Sequence, residues 1–148
     1  MSDHIVRSYD RELDELGRRI AEMGGISEQL LSDAMDALAS LDQELAKKVV
    51  AADARLDALQ RDIEDDAILT IARRQPMAID LRECVAAFRI AGDLERIGDL
   101  AKSIAKRAMK IAPEARLARA IVGIRSMHEC AALQLKDVLD AYAQRDVD

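Results

Sequence analysis

The 148-residue chain has no tryptophan, one phenylalanine and two tyrosines. Its core must therefore be built from Leu, Ile, Val, Ala and Met. Two prolines and six glycines leave little turn material. A chain rich in Ala, Leu, Arg and Glu with so few breakers forms long helices, which excludes a β-sandwich or an α/β sheet. The two cysteines, Cys84 and Cys130, both fall in helical patterns without a ligand-like partner. They read as small buried hydrophobes in a reducing compartment. No run of about 18 apolar residues is present, so no membrane insertion is expected. Met1 to Asp10 lacks the basic-then-apolar order of a signal peptide.

What is abundant is charge: 34% of residues are charged, and the net charge is −6. That balance argues against nucleic acid as a partner. Residues 1–72 carry 17 acidic and 8 basic side chains, whereas residues 73–148 carry 11 and 14. The acidic half can offer carboxylates to a cation or a basic partner.

Apolar residues recur at helical spacing through Tyr9, Leu13, Leu16, Ile20, Met23, Leu30, Ala34 and Leu38, predicting one helix over about residues 4–39. Gly24-Gly25 offers it a place to bend. Ser40 to Gln43 supplies caps for a second helix striped by Leu45, Val49, Ala52, Leu56, Leu59 and Ile63. Gln75-Pro76 marks the next boundary, because Pro is tolerated only in a first helical turn. A third helix is expected over about 77–110. Its stripe is Leu81, Val85, Phe88, Ala91, Leu94, Ile97, Ala101, Ile104 and Ala108. Pro113-Glu114 opens a fourth, striped by Leu117, Ile121, Ile124, Met127, Ala131, Leu135, Val138 and Tyr142. Short connections make consecutive helices antiparallel neighbours. The predicted architecture is all-α: an antiparallel three-helix bundle over 1–111, then one further long helix over 112–148.

Sliding the chain by 104 residues lays the fourth helix on the first. Ile20, Met23, Leu31, Asp33, Asp36, Ala37, Ala39 and Asp42 meet identical residues at Ile124, Met127, Leu135, Asp137, Asp140, Ala141, Ala143 and Asp146. Chance would supply roughly two identities in this composition. The fourth helix thus reads as the first helix of a second, incomplete bundle. Its apolar stripe then wants a partner: the first bundle of the same chain, or helix four of a neighbour. Because three helices already complete a core, a homodimer or higher oligomer through helix four is the expectation.

Two carboxylate pairs stand out, Asp53/Asp57 on the second helix and Glu95/Asp99 on the third. Spacing of four places each pair on one helical face one turn apart, where like charges repel unless a cation lies between them. Both pairs are about 20 residues from the turn near residue 75, hence at similar height on antiparallel neighbours. Four carboxylates can then converge on one patch of the bundle surface. All-oxygen donors suit Mg, Ca, Mn or iron. The competing reading is an ordinary solvated face, neutralised by Arg55, Arg61 and Arg96. With no acidic-x-x-His pair, a buried di-iron site of the ferritin kind is not expected.

Other motifs are weaker. His128-Glu129 lacks a second His at helical spacing for a zinc-protease motif. Arg73-Arg74 and the Lys102, Lys106, Arg107, Lys110 cluster read as solvated helix ends that suit the C-terminal dipole. No nucleophile with a positioned His is visible.

The run Gln75-Pro-Met-Ala-Ile-Asp80-Leu-Arg82, followed by Asp93-Leu-Glu95-Arg-Ile-Gly98-Asp99, resembles the signature of the PhoU family of phosphate-signalling regulators. The resemblance extends over essentially the whole chain. It implies a fold of two similar three-helix bundles. It implies carboxylate metal sites, with iron in some relatives, at motifs matched here by Asp53/Asp57 and Glu95/Asp99. It also implies a cytoplasmic, usually dimeric, non-enzymatic negative regulator. Such proteins couple the ATPase of the high-affinity phosphate ABC transporter to a sensor histidine kinase, and repress the phosphate-starvation response when phosphate is plentiful. A structural helical oligomer without metal, and a metal-dependent phosphohydrolase, are the alternatives. The latter lacks a visible general base or substrate loop.

Overall fold

The computed structural model describes residues 2–76, 79–112 and 118–145. The expected start of the fourth helix at Pro113, Leu117 of its stripe, Met77-Ala78 and Asp146 lie outside them. Among the described residues the elements are α1 (Ser2–Ser40), α2 (Gln43–Arg74), α3 (Ile79–Ala108) and α4 (Ala118–Gln144), with no strand. The all-α expectation holds. α1, α2 and α3 pack on one another, and α4 packs on α1.

The α1–α2 connection is only Leu41 and Asp42. Leu41 takes the left-handed conformation (φ 54°) that ends α1. Asp42 caps α2, its Oδ1 accepting from the backbone N–H of Glu44 and Leu45 at 3.0 Å each, a contact usually worth about 1 kcal/mol. At the far end Gln75 (φ 49°) donates its N–H to Ile71 O. Neither left-handed residue is a glycine, yet both turns fall where Ser40 to Gln43 and Gln75-Pro76 were expected to end helices. Arg74 ties the end of α2 to Glu12 of α1 at 2.7 Å.

The core runs through Leu16, Ile20, Met23, Leu30 and Ala34 of α1, Val49, Leu56 and Ile63 of α2, and Ala91, Leu94 and Ala101 of α3. Ser27, fully buried, donates its hydroxyl to Met23 O at 2.9 Å and to Leu94 O at 3.3 Å, which links α1 to α3. Three expectations need correction. In the first half of α3 the inward residues are Cys84 and Ala87, whereas Leu81, Val85 and Phe88 are exposed. The small pair wins because α3 lies close to its neighbours. Cys130 is exposed, and only Cys84 is a buried thiol. α4 does not stand away from its own bundle: Leu135 is buried in the core, and Leu139 and Tyr142 pack against it.

Two glycines mark close approaches inside continuous helices. α1 does not break at Gly24-Gly25. Instead a Cβ at Gly24 would meet Leu139 Cδ1 of α4 at 2.8 Å. A Cβ at Gly98 would meet Leu56 Cδ2 at 2.2 Å and Asp53 Oδ1 at 3.8 Å. A Cβ at Gly25 would meet nothing within 4 Å. Ala is better than Gly in a helix by about 1 kcal/mol, while forcing a methyl into a packed interface costs about 1–3 kcal/mol. We therefore expect Gly25→Ala to raise the urea midpoint and Gly98→Ala to lower it, by about 1 kcal/mol in each direction. Stabilisation by both would show that α2 and α3 do not approach at Gly98.

Candidate functional site

The heptad-like spacing of Glu95, Gly98, Asp99 and Lys102 sets them along one side of α3, facing Asp53 and Asp57 of α2. Gly98 lets the two helices come together there, and Leu56 fills the space that its missing side chain leaves. Asp53 is thereby removed from water, with 3% of its surface exposed. The expectation that both acidic pairs lie on the surface is corrected for this residue. Asp57 and Glu95 are half-buried and Asp99 is exposed.

The four carboxylates share one electrostatic neighbourhood. Partial desolvation holds the Glu95 carboxyl above its ordinary range. Asp99 adds its charge and accepts a hydrogen bond from the protonated form, and the charges of Asp57 and Asp53 push in the same direction. A cation already stands among them. Lys102 Nζ donates to Asp53 Oδ2 and lies 3.7 Å from Asp99 Oδ1. That ammonium is held above the usual lysine range, first by its hydrogen bond to Asp53 and then by the charges of Asp53, Asp99 and Asp57. Asp53 Oδ1 is buried and has no hydrogen-bond partner.

Sequence reasoning named all four carboxylates but placed Lys102 in a solvated basic cluster. The signal was present: 95, 99 and 102 follow the 4-3 spacing of one helix face. Gly98 was read as part of a motif and not as the contact that makes the site. Of the arginines considered as counter-ions, Arg55 pairs with Glu22 of α1 at 2.7 Å. Arg96 lines a hollow on α3 with Asp99, Lys102, Ser103 and Lys106.

The donor set fits a hard cation in kind: only carboxylate oxygens, one of them buried and unpaired. Among the described residues, no three acidic, His or Cys side chains are already drawn together around a point where an ion would sit. Lys102 instead supplies the local positive charge.

Because Glu95 titrates above its unfolded value, the native state binds more protons than the unfolded one between those two pKa values. Stability then falls as pH rises through that window. We expect Glu95→Gln to stabilise the apo chain at pH 7 by about 0.5 kcal/mol, the scale of like-charge pairs one turn apart. The gain should disappear below the ordinary glutamate pKa of about 4.3. Urea melts at both pH values check this; a destabilised variant at pH 7 would mean that Glu95 is held by favourable contacts.

The model of the PhoU domain matches residues 20–108, which contain all four carboxylates, Gly98 and Lys102. The phosphate-specific transport system accessory protein PhoU homolog of Rhizobium meliloti is 49% identical over 142 residues, covering 96% of this chain and 60% of that protein. The equivalent homolog of Caulobacter vibrioides is 46% identical over 147 residues, covering 99% and 64%. The crystal structure of PhoU from Pseudomonas aeruginosa superposes with a TM-score of 0.89 at 33% identity, covering 93% of this chain and 66% of that one. The chain thus spans about 60% of the length of the relatives from Rhizobium and Caulobacter. The match runs through the bundle, the acidic pairs and the glycine between them, and the chain belongs to the PhoU family.

Proposed function

We propose that this chain is a non-enzymatic, cytoplasmic regulator of phosphate uptake. In this reading it contacts the ATPase of a phosphate ABC transporter and a sensor histidine kinase, and holds the phosphate-starvation response off when phosphate is plentiful. The relatives' printed role as accessory proteins of phosphate-specific transport supports the transporter part. No described helix is long and apolar enough to cross a membrane, so contact with a transporter would be made through surfaces.

The observation that carries the reading is the match to accessory proteins of phosphate-specific transport over a domain in which Gly98 brings Asp53 and Lys102 together between α2 and α3. Asp53, Asp57, Glu95 and Asp99 would hold a metal ion such as iron, Mn, Mg or Ca. A bound ion would supply concentrated positive charge in place of one lysine. The chain's own part is to keep Asp53 desolvated, to hold Glu95 against its neighbours, and to release or retain Lys102. The charge of the α2–α3 face then depends on what occupies the field, and a partner can sense that difference.

Elemental analysis and calorimetric titration with Mn²⁺ test the metal part. The wild-type chain should take up metal. Glu95→Gln/Asp99→Asn should lose uptake while keeping a cooperative circular-dichroism melt, at or slightly above the wild-type midpoint, since removing like charges one turn apart costs no packing. Lys102→Met, freed of the competing ammonium, should bind severalfold more tightly. Equal uptake by wild type and the double variant would refute the assignment. Pull-down of the transporter ATPase and of the kinase cytoplasmic region by the wild-type chain tests the partners; capture of neither would contradict the regulatory reading.

A further inference from the structure

Leu81, Val85 and Phe88, which Cys84 and Ala87 displace from the core, do not scatter over the surface. They begin a stripe that runs on through Gly92, Glu95, Asp99 and Lys102 at steps of 4-3-4-3-4-3 along one flank of α3. Ile68, Glu64 and Asp57 hold the matching flank of α2. The two rows border a trough on the side of the bundle away from α1. Its first stretch is apolar: Ile68 is 53% exposed and Phe88, the one phenylalanine of the chain, is 40% exposed. Next, Phe88, Gly92 and Glu64 line a hollow of about 600 Å³. A Cβ at Gly92 would have Gln60 Nε2 as its nearest neighbour across the helices, at 4.0 Å, so the trough stays open there. Asp57, Glu95 and Asp99 follow, and basic side chains resume at Lys102. α4 reaches α3 on the opposite flank, where Arg145 pairs with Glu83 at 3.3 Å, and where Leu139 and Tyr142 border a hollow with Ile90 and Ile97. The trough and the face of α4 are therefore separate surfaces.

We infer that this trough receives one amphipathic helix of a partner protein, with apolar side chains at one end of its buried face and Lys or Arg about two turns further along. The 4-3 spacing of the α3 row matches a helix presenting anchors at i, i+3 and i+4. Charge sets the order along that helix. Between Phe88 and Lys102 the charges in the trough are Glu64, Asp57, Glu95 and Asp99, all negative. By helical position Arg61, Arg89 and Arg96 lie on the rims or the outward faces. Phe88 and Glu95 are seven residues apart, which puts the partner's cations about 10 Å from its apolar anchors. A segment basic along its whole length would run on into Lys102 and Lys106. An anionic lipid surface or a nucleic acid would be repelled by the carboxylates. The inference deepens the reading of this chain as a regulator that works through surface contacts, and it rests on that reading. It needs neither bound metal nor phosphate.

Fluorescence anisotropy with a labelled synthetic peptide, in EDTA, tests it. The probe is a helix of about three heptads with Leu at 4-3 steps in one half and Lys on the same face in the other. A twin peptide carries Glu in place of Lys. The wild-type chain should bind the Lys peptide about tenfold or more tightly than its twin, with the preference shrinking as salt rises. Phe88→Asp and Ile68→Asp, one on each side of the trough, should each weaken the Lys peptide by about tenfold or more. Asp57→Asn/Glu95→Gln should bind both peptides and lose the preference. Val122→Asp, on the exposed face of α4, should change nothing. Circular-dichroism melts establish which variants fold. Equal binding of the two peptides by the wild type, or Lys-peptide binding indifferent to both Phe88→Asp and Ile68→Asp, would overturn the proposal. Light scattering covers the other occupant: wild-type self-association lost in Phe88→Asp would mean that a second copy fills the trough, and would overturn it too. Capture of the transporter ATPase and the kinase region undiminished by Phe88→Asp would overturn the trough and leave the regulatory reading standing. The expected peptide results with capture of neither partner would do the reverse.

Discussion

The absence of a side chain at Gly98 is the constraint on which the site depends. It lets Leu56 of α2 press against the backbone of α3, and the pressed helices take Asp53 out of water. A buried carboxylate without a partner is costly, and Lys102 answers that cost from one turn further along α3. Partial burial, and after it the charges of Asp99, Asp57 and Asp53, hold the Glu95 proton more tightly. Packing therefore comes first, and the electrostatics of the α2–α3 face follow from it.

The arrangement separates one buried carboxylate from three that are less buried. Asp53 is fixed by burial and by Lys102, whereas Asp57, Glu95 and Asp99 reach solvent. Behind them lie the core residues Leu56 and Leu94. Lys102 belongs to both groups: it neutralises Asp53 and lies within reach of Asp99.

Much of this was legible in the chain. Few breakers and clean periodicity located the helices, and Asp42 announced the start of α2. The four acidic residues were found because spacing and equal height are one-dimensional facts. What was missed is three-dimensional. The burial of Asp53 depends on a glycine on another helix. The inward register of early α3 depends on how close its neighbours come, so Cys84 and Ala87 displaced the more hydrophobic Val85 and Phe88. The single broad stripe read on the fourth helix merged two seams one residue apart. Ile121, Leu135 and Tyr142 came from one, and Ile124, Met127, Ala131 and Val138 from the other. Only the packing of Leu135 and Leu139 on α1 separates them.

The central claim is that close packing at Gly98 gathers four carboxylates into one field. The most direct measurement is the carbon-13 chemical shift of the Glu95 side-chain carboxyl followed through a pH titration, in the wild type and in Asp57→Asn. The account predicts a midpoint above the ordinary glutamate value in the wild type, moving back towards that value when the charge on α2 is removed. A wild-type Glu95 that titrates as a free glutamate, or one indifferent to Asp57, would contradict it.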